Sequence, residues 1–469
     1  VPSRFTPINA KSNSDELMIG VKQIYQGAWN PIMGLTDTYS RHVWGIISDP
    51  GTFKHPFTGE TFPVRVQWQV ETAGPDKKLK IPQEAKIWNP SLKKWQNVTP
   101  DAMATSKVIF DFEFSNWHNG QKMDINDILH SLYFTIEWGT QVDENDRTFD
   151  TEFTPRASQT IQTIMGVKPI DKDTIEVYVD YWHFVEGEIA DWAVLWNSMP
   201  WEISAAMEKA VMDGKVSFSR SGATSKNVNW LSLIIPNDAN LVKGYLQEFK
   251  NANYIPATFN EDNQNLEYYK KRYDASIKWI EKNNHAVISN GPFYLESYSP
   301  ESRTITVRAF DDESYPFKIG KWAEFEKTEF PAIKNIEMNN IIQRGEELEI
   351  RVDITNSDSI LYFLTSNEGK IISSEILKVD VDRVIIFVPS ENTKKLGVGA
   401  NNIKIFATSE SVLKPDFYES SFIVTEEKLE LPTGLSENIE FTENKSEYGI
   451  LITIPILFVI GIIIYLKKR

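Results

Sequence analysis

The 469-residue chain contains no cysteine. That absence excludes thiol nucleophiles, Cys-ligated zinc, iron–sulfur clusters and disulfides together. Positive charge is also short: the formal net charge is −16, and the chain ends on the basic triplet Lys467-Lys468-Arg469. Nucleic acid, whose phosphates need a basic surface, is therefore not an expected partner. The six histidines (His42, His55, His118, His130, His183 and His285) form no HxxxH or HExxH pair, so no metal site is expected. Neither a GxSxG elbow nor a Gly-rich phosphate loop occurs. No catalytic residue and no cofactor are expected. A glycosidase with two distant acids leaves no local motif, and a carbohydrate-active enzyme stays open as a third reading.

What is present is globular material, with 41% hydrophobic residues and abundant aromatics. The length allows two or three domains. Residues 448–466, YGILITIPILFVIGIIIYL, carry no charge and precede the basic triplet 467–469. A helix there would span a bilayer core of about 30 Å at about 1.5 Å per residue. The expectation is a single C-terminal transmembrane helix, with the body extracellular and residues 467–469 cytoplasmic by the positive-inside rule. Residues 427–447 are acid-rich and without periodicity, as in a stalk. Asn97 and Asn444 sit in N-glycosylation sequons. The chain opens at Val1 with no initiator Met and no signal sequence, as expected if a leader were removed or a longer parent preceded it.

Residues 331–426 alternate apolar and polar positions in LEIRVDI, ILYFLTS, RVIIFVP, NIKIFAT and SSFIVTE. That pattern predicts an immunoglobulin-like β-sandwich of about 100 residues. Residues 1–330 mix candidate strands (ELMIGVKQ, VRVQWQVE, SKVIFDFEF, DTIEVYVD, RTITVRAF) with candidate helices at 125–138, 202–212 and 262–282. An α/β or α+β body follows.

Within that body the run SNWHNGQKMDINDILHSLYFTIE (115–137) gathers the residue types of acid–base sites. Periodicity gives it a different use. Ile125, Ile128, Leu129, Leu132, Tyr133 and Ile136 form one stripe of a helix. Asp124 then falls at the N-cap and Asp127 at N3, where carboxylates meet orphan N–H groups and the positive end of the dipole. Both aspartates are read as scaffold.

These residues also carry a resemblance. Trp117-His118-Asn119-Gly120 followed by Asp124-Ile125-Asn126-Asp127-Ile128 resembles a signature of the family-5 extracellular solute-binding proteins, the oligopeptide- and dipeptide-binding partners of ABC importers. IDKDTIEVYVDYW, Asn290-Gly291-Pro292-Phe293-Tyr294-Leu295 with SPESRTITVRAFDDESY, and the opening LMIGVKQIYQGAWNPIMGLTD resemble further segments in the family's order. The resemblance implies an α/β two-lobed, periplasmic-binding-protein-like fold of the class C type. It implies a small solute, with peptides as the class, and an ABC transporter permease as partner. The sandwich starts only about 40 residues past the Gly-Pro segment, whereas family members continue through a second lobe. Either that lobe is reduced here, or missing parts lie upstream of Val1.

Tryptophans beside amides suggest where a solute would sit, since aromatic walls exclude water and polar groups fix orientation. The expected ligand-binding residues are Trp29, Asn30, Trp196 and Asn197, although tryptophan is also a common core residue. The leading reading is a membrane-tethered solute-binding protein without covalent chemistry. A structural or adhesive surface protein that keeps the fold is the second.

Overall fold

A computed structural model describes residues 7–9, 18–19 and 27–427, except 260–265, 303, 319, 326, 327 and 380. Two compact units divide them: one runs to Glu329 and takes in Glu410–Leu413, and the other holds Phe330–Ser409 and the chain from Lys414.

The main sheet of the first unit is built from Val66–Thr72 (β1), Lys86–Asn89 (β2), Lys94–Asn97 (β3), Ser106–Phe112 (β4), Ile164–Pro169 (β5) and Thr174–Val179 (β6). The strand order is β1-β4-β6-β5-β2-β3, and every pairing is antiparallel. In β4, Val108, Phe110 and Phe112 alternate inward, as a strand with one face on a core requires. Its register sets Val108 opposite Val70 and Val177.

Helices Thr38–Ile47 (α1), Ile125–Gly139 (α2), Phe153–Ile161 (α3), Glu186–Ala193 (α4), Trp201–Met212 (α5), Pro236–Ala252 (α6) and Leu266–Asn283 (α7) belong to the same unit, as does a hairpin of Phe293–Ser299 (β7) and Thr304–Ala309 (β8). The helix expected over 125–138 is α2. It buries two faces rather than one. Ile128, Leu132 and Ile136 pack on the sheet core, while Phe134 and Trp138 enter a second core with α5, α6 and α7. The second face was hidden in the sequence because aromatic residues fill it alongside polar ones. α5 buries ten of its twelve residues, which places it at the centre of that second core.

The second unit is a two-sheet sandwich. Ala332–Met338 (β9), Leu348–Thr355 (β11) and Arg383–Val388 (β14) make one sheet, in the order β9-β11-β14. Ile341–Gln343 (β10), Ser359–Thr365 (β12), Ile371–Lys378 (β13), Gly399–Ser409 (β15) and Val412–Thr425 (β16) make the other, in the order β10-β16-β15-β12-β13. Leu348, Ile350, Val352 and Ile354 from one sheet meet Ile360, Tyr362, Leu364, Ile403 and Ile405 from the other.

One expectation needs correction. The single-pass membrane placement, with a transmembrane helix at 448–466, an extracellular body and a cytoplasmic end, finds no such helix: among the described residues none is long and apolar enough to cross a membrane. Residues 427–447 beyond Glu427 and residues 448–469 lie outside the described part, as does the sequon residue Asn444. Asn97 is exposed at the last position of β3.

Candidate functional site

Two of the segments that carried the family resemblance, 117–128 and the one opening at Asn290, meet in space. Trp117 is fully buried, and its Nε1 donates to Asp127 Oδ2 at 3.3 Å. The Asp124 carboxylate accepts the Asn126 N–H at 3.0 Å, and Asp127 Oδ2 accepts the Asp124 N–H at 3.1 Å. Both halves of a capping box are therefore present. Burial, followed by the neighbouring Asp127 charge, pushes the Asp124 carboxyl up to about 6.

Asp127 does more than cap. Its Oδ1 accepts from Arg272 Nη2 at 2.6 Å and from the Trp201 N–H at 3.0 Å. Arg272 Nε donates to Glu202 Oε2 at 2.9 Å, and Glu202 Oε1 accepts from Ser276 Oγ at 2.8 Å. Burial disfavours the Arg272 charge, yet Asp127 and Glu202 hold its pKa above the ordinary value. Asp127, Glu202, Arg272 and Ser276 are all buried.

His118 ties the same turn to the Gly-Pro segment. Its Nδ1 accepts the Ser289 N–H at 3.3 Å, so its Nε2 carries the proton that is donated to Gly291 O at 3.1 Å. Gly291 has to be glycine: a Cβ there would stand 2.6 Å from the backbone of Ile47. Beside it, Asn290 Oδ1 accepts the Asp49 N–H at 3.0 Å. Burial pushes the His118 pKa down to about 4. The unfolded chain therefore takes up this proton first as pH falls below about 6.5, and His118 stabilises the fold fully only above that value. Relative to His118→Gln, the wild-type chain should lose about 3 kcal/mol of stability between pH 6.5 and 4. All fourteen tryptophans precede residue 330, so urea unfolding followed by tryptophan fluorescence reads this unit alone. Parallel pH profiles for the two chains would contradict the assignment.

Next to this junction lies a group that can face a ligand. Asp49 follows α1, Arg65 precedes β1, Ser115 follows β4, Trp196 follows α4, and Tyr315 and Phe317 lie beyond β8. Arg65 is fully buried. It donates to Asp49 Oδ2 at 3.0 Å, to Ser115 Oγ at 2.6 Å and to Glu113 O at 2.9 Å. Its guanidinium carbon lies 5.8 Å from the ring centroids of Trp196, Tyr315 and Phe317 alike, within cation–π range. The Tyr315 hydroxyl donates to Asp49 Oδ1 at 3.3 Å. Burial raises the Asp49 pKa from its ordinary value, against the pull of Arg65. Burial and then the Asp49 charge raise that of Tyr315. All three rings keep part of their surface in solvent. Ser115 Oγ is bonded to Arg65 and to the Asn116 carbonyl, with no base to activate it as a nucleophile.

Of the residues expected to touch a solute, one belongs to this group. Trp196 stacks on Phe112 with centroids 6.2 Å apart and donates its Nε1–H to Asp49 O at 2.9 Å. Gly51 lets it approach, since a Cβ there would meet Trp196 Cβ at 2.9 Å. Asn197 is 8% exposed and accepts the Met199 N–H at 3.3 Å. Trp29 and Asn30 lie in the core, each at 0% exposure. Trp29 Nε1 donates to Ser40 Oγ at 3.0 Å. Asn30 closes a turn by accepting the N–H groups of Met33 and Gly34, and its amide donates to Leu231 O at 2.8 Å. Sequence reasoning missed Asp49, Arg65, Tyr315 and Phe317. The only local signals were the Asp-Pro-Gly turn at 49–51 and an arginine immediately before β1. Among the described residues no cluster of three or more His, Asp or Glu side chains is arranged to hold a metal.

No protein-family model and no curated protein matches the chain. Similar solved structures include two periplasmic binding proteins. One is the ABC transporter-associated protein DppA from Helicobacter pylori in complex with the peptide STSA, at 11% identity and a TM-score of 0.27, covering 74% of this chain and 52% of that one. The other is the PBP AgaA from A. tumefaciens R10 in complex with agropinic acid, at 13% identity and a TM-score of 0.23, covering 71% of this chain and 46% of that one. The chain thus spans about half the length of either. An immunoglobulin-like protein from Pseudomonas aeruginosa matches at 9% identity and a TM-score of 0.16, covering 21% of this chain and 98% of that one.

Proposed function

We propose that the first unit is a solute-binding protein that takes short peptides or similar small polar solutes and hands them to an ABC importer, without covalent chemistry. The observation that carries this reading is the Asp49–Arg65 ion pair behind the rings of Trp196, Tyr315 and Phe317. The buried pair, its charges held at 3.0 Å, fixes the three rings, and their partly exposed faces offer a solute a flat apolar wall. The potential catalytic groups nearby are committed elsewhere: His118 to backbone atoms, Asp124 and Asp127 to the helix start and to Arg272.

A thermal-shift screen against mixed di- and tripeptides tests the proposal. Peptides should raise the melting temperature, and Trp196→Ala should weaken their binding at least about tenfold through lost stacking and burial. Asn197→Ala should leave affinity unchanged. A protein that no peptide stabilises, and that self-associates instead, would favour a structural or adhesive role.

A further inference from the structure

Helix α7 carries a feature that the peptide-binding reading does not use. A groove of about 500 Å³ runs along it, lined by His118, Asn119, Gln121, Lys271, Lys278 and Lys282, with Trp279 and Asp274 between them. Lys271, Lys278 and Lys282 recur at i, i+7 and i+11 and share one helix face. All three are exposed in a chain whose net charge is −16.

The carboxylates that could neutralise them are engaged with α6. Asp274 pairs with Lys250 at 2.5 Å, and Glu281 faces Lys243 at 3.8 Å. Glu267, four residues ahead of Lys271, is not part of the groove lining. Among the described residues none of the three groove lysines has an ion-pair partner. The opposite wall adds amides: Asn119 spends one N–H on Ser276 Oγ at 3.0 Å and its oxygen on the Gln121 N–H at 3.1 Å, which leaves its second N–H for a ligand. His118 offers nothing, because both ring nitrogens are bonded to backbone atoms. Trp279 is 9% exposed and supplies a flat floor, its N–H bonded to Val287 O at 3.1 Å.

We infer that this groove is a second binding site, for a small polyanion whose carboxylate or phosphate groups are spread along an extended frame. Two helical turns separate Lys271 from Lys278, about 10 Å, and Lys282 lies about 6 Å further on. A single compact anion reaches two of the three lysines at most. A linear ligand with several anionic groups reaches them all. The volume fits a small molecule, and the acidic surface elsewhere repels a long polyanion such as nucleic acid.

Isothermal titration of the whole protein at low ionic strength, with inorganic tripolyphosphate in one series and linear butane-1,2,3,4-tetracarboxylate in another, tests this. Saturable one-to-one binding that weakens with added salt is expected for at least one of them, and the tighter ion identifies the anionic group preferred. K271Q/K278Q/K282Q should lower that affinity at least about tenfold with no change in melting temperature, because exposed unpaired lysines hold little of the fold. The charge-matched control K77Q/K80Q/K226Q should stay within about twofold of wild type. Failure of both ions to bind, or an equal loss in the two triple variants, overturns the inference.

Discussion

Asp127→Ala should cost the first unit about 3–5 kcal/mol, the range for removing one partner of a buried ion pair. Arg272 is 2% exposed and would keep only Glu202 as a carboxylate partner. The same change orphans the buried Trp117 Nε1–H and the Trp201 N–H that now donate to Asp127, and an unpaired buried donor is costly by itself. Asp124→Asn is the contrasting control. Asparagine caps a helix about as well as aspartate, and the Asp124 carboxyl, pushed up to about 6 by burial and by Asp127, holds its charge less firmly. That variant should change stability by less than about 1 kcal/mol. Urea unfolding followed by tryptophan fluorescence separates the two. Equal, small losses at both positions would mean that Asp127 is only a cap.

The second large effect is expected at Trp29. Its ring is fully buried and packs edge-on against Trp44 with centroids 6.3 Å apart. Trp29→Ala should cost about 3–5 kcal/mol through the cavity left behind, more than Trp196→Ala, whose ring is partly exposed. Solute affinity should follow the opposite order. Once folding is allowed for, Trp29→Ala should bind peptides like wild type, while Trp196→Ala should not. A specific loss of affinity in folded Trp29→Ala would return that residue to the binding site.

These two tryptophans show what a local pattern can and cannot reveal. Each stands before an asparagine, yet Asn30 folds its side chain back onto Met33 and Gly34 and docks the turn on Leu231. Trp196 instead reaches Asp49, which is distant in sequence. The dipeptide is the same, and the partners that decide its fate are not encoded nearby. The helix at 125–139 was legible because its stripe, N-cap and N3 residue all agree over one short window. Alternation in Leu348–Thr355 was legible for the same reason. The Asp49–Arg65 group was not, because Tyr315 joins it from 266 positions away. The rule that ligands sit at the ends of parallel strands also gave no guide, since every pairing in the main sheet is antiparallel.

Hydrogen exchange with and without a peptide found in the screen tests the central claim most directly, because it reports where the solute lands. Protection is expected at residues 48–51, 64–66, 194–197 and 311–317, the backbone around Asp49, Arg65, Trp196 and Tyr315. Protection confined to other segments, or a peptide-independent exchange pattern throughout the first unit, would contradict it.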